Sequence, residues 1–307
     1  MKRIRIPWLV DVVLSQNAAE IESFAQDPKL DRAYSDRSIL LNGLILRRVR
    51  SVLQLGGKYF PTVEPRDENG RAAAQDALWN RLNALAPAFS TGPDELESLA
   101  AFVRGEGPTE ACGPLVQDVV GRLFDPSFKA TQVSWDAALV LDLAPRTMNL
   151  ILYAWWVITR RIDKAKQLLA NMVGGDLAGV HAVGVAVHNI VSGVNLMRQL
   201  YNDPAKRTAS SAETAGRRCL FAPATVLRQP AASASSPEGE LKTGTLVILN
   251  LQAANAKSPS RDVAFLRETW SRCPAEQWVP ALLEGVWRRA CLSQPQHGGT
   301  AGPFAID

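Results

Sequence analysis

The 307-residue chain has few of the residues that build metal centres and disulfide frameworks. It contains only three histidines, which argues against a histidine-rich metal site. Its four cysteines, Cys112, Cys219, Cys273 and Cys291, lie far apart, and no two have C-x-x-C spacing. This spacing argues against a structural zinc site and a disulfide framework, and it is typical of a protein of the reducing cytoplasm.

Several catalytic and nucleotide-binding signatures are absent as well. The chain has no G-x-G-x-x-G, P-loop, H-E-x-x-H or G-x-S-x-G motif. Its formal charge of +4 is spread along the chain, which argues against a basic nucleic-acid-binding surface. The same charge still allows a basic patch that binds an acidic protein partner. The N-terminus is basic and is followed by an apolar stretch, which Asp11 interrupts. No small-residue cleavage site follows, so this segment predicts a strand rather than a signal peptide.

One uncharged segment is long enough to cross a bilayer. Residues 177–197 contain no Asp, Glu, Lys or Arg, but they carry His181, His188, Asn189 and Asn195. This mixture favours a buried central helix over a membrane span. His181 and His188 are seven residues apart, which predicts that they lie nearly on one face of that helix.

Hydrophobic periodicity predicts a fold that is mainly α with a small β portion. The length suits one large domain or two modest ones, and we expect a single domain over residues 1–307. Ser15 is the expected N-cap of the first helix, Trp155 and Trp156 are expected core anchors, and the tail 293–307 is expected to be flexible. The predicted helices cover 15–25, 36–55, 72–86, 114–124, 133–143, 146–172, 177–201 and 276–292. The predicted strands cover 8–14, 225–227 and 245–251.

Five segments of the C-terminal half follow one another in a distinctive order. The long uncharged helix ends at a proline, two arginine-containing segments come next, a dense G-T-L-V-x-L-N-L-x-A-A-N stretch follows, and a cysteine comes last. These segments are 200–204, 218–223, 227–229, 244–255 and 284–291.

This order resembles the C-terminal half of the cytochrome P450 (haem-thiolate monooxygenase) family. In that family a central helix crosses the haem, and R-x-x-P-P, a propionate-binding Arg, G-T-x-V and A-A-N follow. The cysteine ligand comes last, within F-G-x-G-x-[HR]-x-C-x-G. In the N-terminal half, residues 82–89 (LNALAPAF) are similar to the family's R-R-L-V-x-P-A-F, and Arg81 lies close to the place of another propionate-binding Arg.

The resemblance implies a haem-dependent oxidoreductase that acts on a hydrophobic small molecule, with an electron-transfer protein as a possible partner. It implies that Cys291 is the axial ligand of the iron and that Arg228, Arg289 and Arg81 bind the haem. His188 and Asn189 would supply the distal polar groups.

Departures from the family pattern leave alternatives open. Ala215 replaces the Glu of E-x-x-R, only Gly285 and Arg289 match around Cys291, and the acid-Thr pair of the central helix is missing. The chain could therefore carry out haem chemistry without standard dioxygen activation, or His188 or His181 could ligate the haem. A haem-free descendant could act as a small-molecule-binding or partner subunit, or as an enzyme of another class. Cys291 also fits an ordinary amphipathic helix without any cofactor.

Overall fold

A computed structural model describes residues 1–32, 39–66, 70–236, 239–257 and 261–292. The expected flexible tail, 293–307, lies outside the described residues. Helix far exceeds strand, so the mainly α class with a small β portion is confirmed. The helices are α1 (Ala18–Gln26), α2 (Leu40–Leu53), α3 (Arg71–Ser90), α4 (Glu97–Val103), α5 (Cys112–Arg122), α6 (Gln132–Leu143), α7 (Leu150–Ile158), α8 (Arg161–Met172), α9 (Leu177–His181), α10 (Val187–Asn202), α11 (Pro204–Thr208), α12 (Ala212–Arg218), α13 (Leu251–Lys257), α14 (Arg261–Phe265) and α15 (Trp278–Leu292). The strands are β1 (Lys2–Ile6), β2 (Val10–Ser15), β3 (Leu30–Asp31), β4 (Gln54–Leu55), β5 (Lys58–Tyr59), β6 (Val226–Pro230), β7 (Ala234–Ser236), β8 (Gly239–Leu241) and β9 (Leu246–Leu249).

The main sheet joins the two ends of the chain. Its strand order is β1-β2-β9-β6-β3, and the β2–β9 pair is parallel, with Val13 opposite Val247. The remaining neighbours are antiparallel. Val13, Val247 and Leu249 are fully buried, so this sheet closes one side of the core.

The dense G-T-L-V segment has a structural role at the start of β9. The Thr245 hydroxyl donates to the Asp11 carboxylate over 2.9 Å, and Arg3 contacts both oxygens of the same carboxylate at 2.9 Å. Asn42 donates to the Asp11 and Gly244 carbonyls at 2.7 and 2.8 Å. These contacts stabilise the parallel pairing of β2 and β9, because Thr245 and Asn42 donate to groups on both segments.

The first helix begins two residues later than the sequence predicts. Asn17 is the N-cap of α1, and its side chain accepts from the backbone N–H of Glu20 over 3.2 Å. Ser15 instead ends β2, is fully buried, and donates to the Glu20 carboxylate over 2.7 Å. The Ser15 prediction is wrong because pairing with β9 extends the strand to this residue.

The predicted helix over 146–172 is two helices, α7 and α8. Arg160 lies between them with φ +52°, a left-handed conformation that ends one helix and starts the next. Only one of the two predicted tryptophan anchors reaches the core, since Trp156 is 5% exposed and Trp155 is 58% exposed. Adjacent helical residues point about 100° apart, so one narrow buried face cannot hold both.

The central helix, Leu177–Asn202, crosses the middle of the core. By length and composition it is the one described helix that could span a membrane, but Val180, Val183, Val187 and Val194 are fully buried within the protein. Residues Ala182–Ala186 form a π-helical segment between α9 and α10. The predicted central helix is therefore present, with one face fully buried and most of its other positions half-buried.

Helix α15 packs most closely against α3. A Cβ built on Gly285 would lie 1.9 Å from the carbonyl oxygen of Phe89, so only glycine permits this approach. Trp278 at the start of α15 is 1% exposed and packs edge-on against Phe89, with ring centroids 5.4 Å apart. This contact fixes the position of the loop that precedes α15.

Candidate functional site

The loop between α14 and α15 carries Cys273 into the protein. The backbone N–H of Cys273 donates to the Phe265 carbonyl over 2.8 Å, and the N–H of Glu276 donates to the Cys273 carbonyl over 3.3 Å. Pro274 and Ala275 follow the cysteine, and α15 starts at Trp278. Cys273 is therefore held by its backbone just ahead of the helix that is anchored on α3.

Four arginines surround Trp270 in the same loop. The Cζ atoms of Arg71, Arg228, Arg32 and Arg66 lie 4.8, 5.0, 5.6 and 5.9 Å from the centroid of the indole ring. We call these four side chains and Trp270 the arginine cluster. Each contact is a cation–π interaction, but together they concentrate four positive charges around one ring.

Side-chain bonds connect the arginine cluster to the Cys273 loop. Arg228, which is fully buried on β6, donates to the Ser271 hydroxyl. Arg71, 4% exposed at the start of α3, donates to the Trp270 carbonyl over 3.1 Å. Gln75 donates to the Arg272 carbonyl over 2.7 Å. A strand, a helix and a loop that are distant in sequence thus converge on one site.

The positive charge of the arginine cluster favours an anionic ligand. A carboxylate placed among guanidinium groups would accept charge-assisted hydrogen bonds from them. The indole Nε1 of Trp270 is buried and has no acceptor within the described part of the chain. A carboxylate would also satisfy this donor.

The Cys273 thiol is protonated in the absence of a metal. Burial raises its pKa to about 11, although the positive charge of Arg32 acts in the opposite direction. A thiol of this kind becomes an anionic ligand only when a metal ion replaces its proton. Among the described residues no group of three or more His, Cys, Asp or Glu side chains could hold a metal ion.

His181 lies on the central helix and is connected to the arginine cluster. Its Nδ1 is 3.2 Å from the Thr62 hydroxyl, and Arg32 donates to the Thr62 carbonyl. Burial, followed by the charge of Arg32, lowers the pKa of His181 to about 4. The imidazole is therefore neutral near pH 7, and it packs 5.8 Å from the Phe60 ring.

His188 faces a different neighbour from His181. Its Nε2 is 3.1 Å from the Ala138 carbonyl, and its ring packs 4.9 Å from Trp135. Burial lowers its pKa as well. The prediction that the two histidines share a face is wrong, because the π-helical segment between them changes the angular spacing along the helix. Asn189 is partly buried beside His188.

The other predicted site residues lie in different places. Cys291 is exposed on the last turn of α15. Arg289 is held by Asp94 and Glu97, each at 2.6 Å, on the surface where α15 meets the residues before α4. Arg81 is exposed and lies over the Phe124 ring, 5.4 Å from its centroid. Of the predicted haem-binding residues, only Arg228 belongs to the arginine cluster.

Sequence reasoning missed Cys273, Trp270, Arg71, Arg32 and Arg66. The signal for Cys273 was available, since a small residue, Ala275, stands two positions after it, where the family pattern has glycine, and a helix follows. Cys291, by contrast, lies inside its helix and not before one. The arginines had no comparable signal, because they lie on separate segments of an ordinary composition.

Comparison with solved structures identifies the fold. No protein-family model and no curated protein sequence matches the chain. The cytochrome P450 CYP175A1 from Thermus thermophilus is similar, with a TM-score of 0.65 and 14% identity over 94% of this chain and 83% of that one. A six-coordinated cytochrome P450 from another strain of Thermus thermophilus has a TM-score of 0.61 and 15% sequence identity, over 91% of this chain and 84% of that one. Cytochrome P450EX alpha, solved with myristic acid, has a TM-score of 0.60 and 12% sequence identity, over 91% of this chain and 80% of that one.

The protein therefore has a cytochrome P450-like fold, as its motif order indicated. The resemblance in motif order implies haem as the prosthetic group, and the charged and hydrogen-bonding groups of the site are of the kind that haem requires. A haem presents two carboxylates and an iron, and the site presents clustered guanidinium groups, a buried indole N–H and a cysteine on one loop.

Proposed function

We propose that the protein is a haem-dependent oxidoreductase of the P450 type that acts on a hydrophobic small molecule. The observation that carries the proposal is the convergence of Arg71 and Arg228 on the Trp270–Cys273 loop. Bound haem would supply the one-electron and oxygen chemistry of the reaction. The protein would supply the cysteine ligand of the iron, the arginines that bind the haem carboxylates, and the apolar surroundings of the substrate.

In this proposal Cys273, in place of Cys291, would bind the haem iron through its thiolate. Cys273 follows a loop that is bonded to the arginine cluster, whereas Cys291 is exposed on a helical turn. The guanidinium groups of Arg71 and Arg228 would bind the propionates, and Trp270 Nε1 would donate to one of them. Arg289 is engaged by two carboxylates elsewhere, so it has no part in this arrangement.

The central helix would form the distal wall over the haem. No charged residue lies between positions 177 and 197, so this wall would be uncharged and suited to a hydrophobic substrate. Neutral His181, with the Thr62 hydroxyl, would provide the distal hydrogen-bonding group. The myristic acid in a protein of similar fold supports a hydrophobic substrate. His188 and Asn189 remain the alternative distal pair.

The test is the absorption spectrum of the reduced, carbon monoxide-treated protein, expressed with ample haem precursor. We expect a thiolate-type spectrum that Cys273→Ser abolishes and Cys291→Ser leaves intact. Arg228→Met and Arg71→Met should lower the haem content per chain, whereas Arg289→Met, the matched control, should not.

The same spectra separate the alternatives. Loss of the thiolate signature only in Cys291→Ser would restore Cys291 as the ligand. An imidazole-type spectrum lost in a histidine variant would assign the iron to that histidine. A wild-type protein that takes up no haem would refute the proposal and favour a haem-free descendant.

A further inference from the structure

Helix α7 shows apolar side chains to solvent over nearly all of its length. Ile151 is 84% exposed, Ile158 76% and Leu150 66%, and no charged residue lies between positions 147 and 159. Only Tyr153 and Trp156 turn towards the protein. An ordinary surface helix shows the opposite pattern, with its polar face outwards.

The exposed apolar surface continues from α7 onto α2, because the two segments are in contact. Arg48 donates to the Thr147 carbonyl over 2.8 Å, next to Met148, which is 91% exposed. One turn earlier on α2, Leu44 is 48% exposed, and Leu40 is 63% exposed.

The β1–β2 hairpin adjoins the same end of α2. The backbone N–H of Leu41 donates to the Leu9 carbonyl over 3.0 Å. Trp8, beside Leu9 at the tip of the hairpin, is 92% exposed. We call the exposed side chains of α7, the start of α2 and the hairpin tip the apolar surface. Monomeric soluble proteins rarely expose so many large apolar groups together.

Basic residues border the apolar surface. Residues 142–166 contain five basic and two acidic residues. The two acids, Asp142 and Asp163, are each paired with a basic neighbour, Arg146 and Lys166. Residues 39–63, which include α2, contain four basic residues and no acid. The border is therefore positive on both the α7 side and the α2 side.

We propose that the apolar surface docks on an anionic lipid bilayer, with α7 lying along the interface. Apolar side chains with tryptophan would enter the boundary between headgroups and acyl chains, and the surrounding Lys and Arg would meet lipid phosphates. A second copy of the chain fits less well, because a twofold contact would bring the two positive borders together. The proposal does not depend on haem.

Co-flotation of the full-length protein with vesicles tests this docking. We expect binding to vesicles of phosphatidylcholine with phosphatidylglycerol, and weak binding to phosphatidylcholine alone. Ile151→Gln with Trp155→Gln should raise the lipid concentration for half-binding by at least about tenfold, since both side chains leave the apolar phase. Arg161→Gln with Lys164→Gln should raise it by about fivefold per charge, an effect that salt should mimic.

Leu292→Gln is the matched control, because Leu292 is 71% exposed at the end of α15, outside the apolar surface. It should bind vesicles like the wild type. Equal vesicle binding by all variants, or no binding by the wild type, would overturn the proposal. So would a concentration-dependent dimer in sedimentation that the α7 variant alone dissociates, because a second copy would then cover the surface.

Discussion

His181 makes the stability of the haem-free protein depend on pH in a way that can be calculated. Its folded-state pKa is about 4, against an ordinary value of 6.5, because burial and the charge of Arg32 disfavour the imidazolium. The unfolded state therefore binds the proton more tightly than the folded state. Stability contributed by neutral His181 is complete above pH 6.5 and is lost as the pH falls towards 4.

The size of the effect follows from the difference in pKa. The fall in the pKa of His181 from 6.5 to about 4 corresponds to about 3 kcal/mol when the imidazole is fully protonated in both states. At pH 4.5 most of this free energy, about 2–3 kcal/mol, is already lost, because the unfolded histidine is protonated and the folded one is largely neutral.

Urea unfolding at pH 7.5 and pH 4.5 measures this loss. We expect the wild type to lose about 2–3 kcal/mol more than His181→Asn between these two conditions, because carboxylates contribute equally to both proteins. His188→Asn is the companion variant, since the pKa of His188 is also lowered by burial and its removal should act in the same direction. Identical pH dependence in the wild type and His181→Asn would refute the reasoning.

Two further predictions concern packing. Leu141→Ala should lower the free energy of unfolding by about 2–5 kcal/mol, because the side chain is fully buried. Leu143→Ala on the same helix, where the side chain is 47% exposed, should change it by about 0.5 kcal/mol or less, and equal effects would contradict the packing assignment. Gly285→Ala should cost about 1–3 kcal/mol in the same assay and weaken the α15–α3 contact, since the new methyl group would meet the Phe89 carbonyl. Wild-type stability in this variant would show that the two helices can separate without cost.

The amino-acid sequence by itself determined the helical class, the approximate position of most helices and the strand β9, although β9 covers only Leu246–Leu249 of the predicted 245–251 and helix α13 begins at Leu251. Periodicity and β-branched runs are local properties, so they can be read without knowing the neighbours. The order of the motifs also indicated the fold, and Arg228, which the resemblance singled out, does lie beside a cysteine-bearing loop. The other arginines of the cluster were not identified, because residues 32, 66 and 71 carry no local pattern.

The tertiary structure decided what depends on distant neighbours. It placed Arg71 and Arg228 against the Trp270 ring, and it paired Arg289 with the carboxylates of Asp94 and Glu97. It also buried Trp156 and left Trp155 exposed. It also separated His181 from His188 through a π-helical segment that spacing alone does not predict. Partners, burial and charge clusters arise only when segments far apart in sequence pack together, and no window along the chain contains that information.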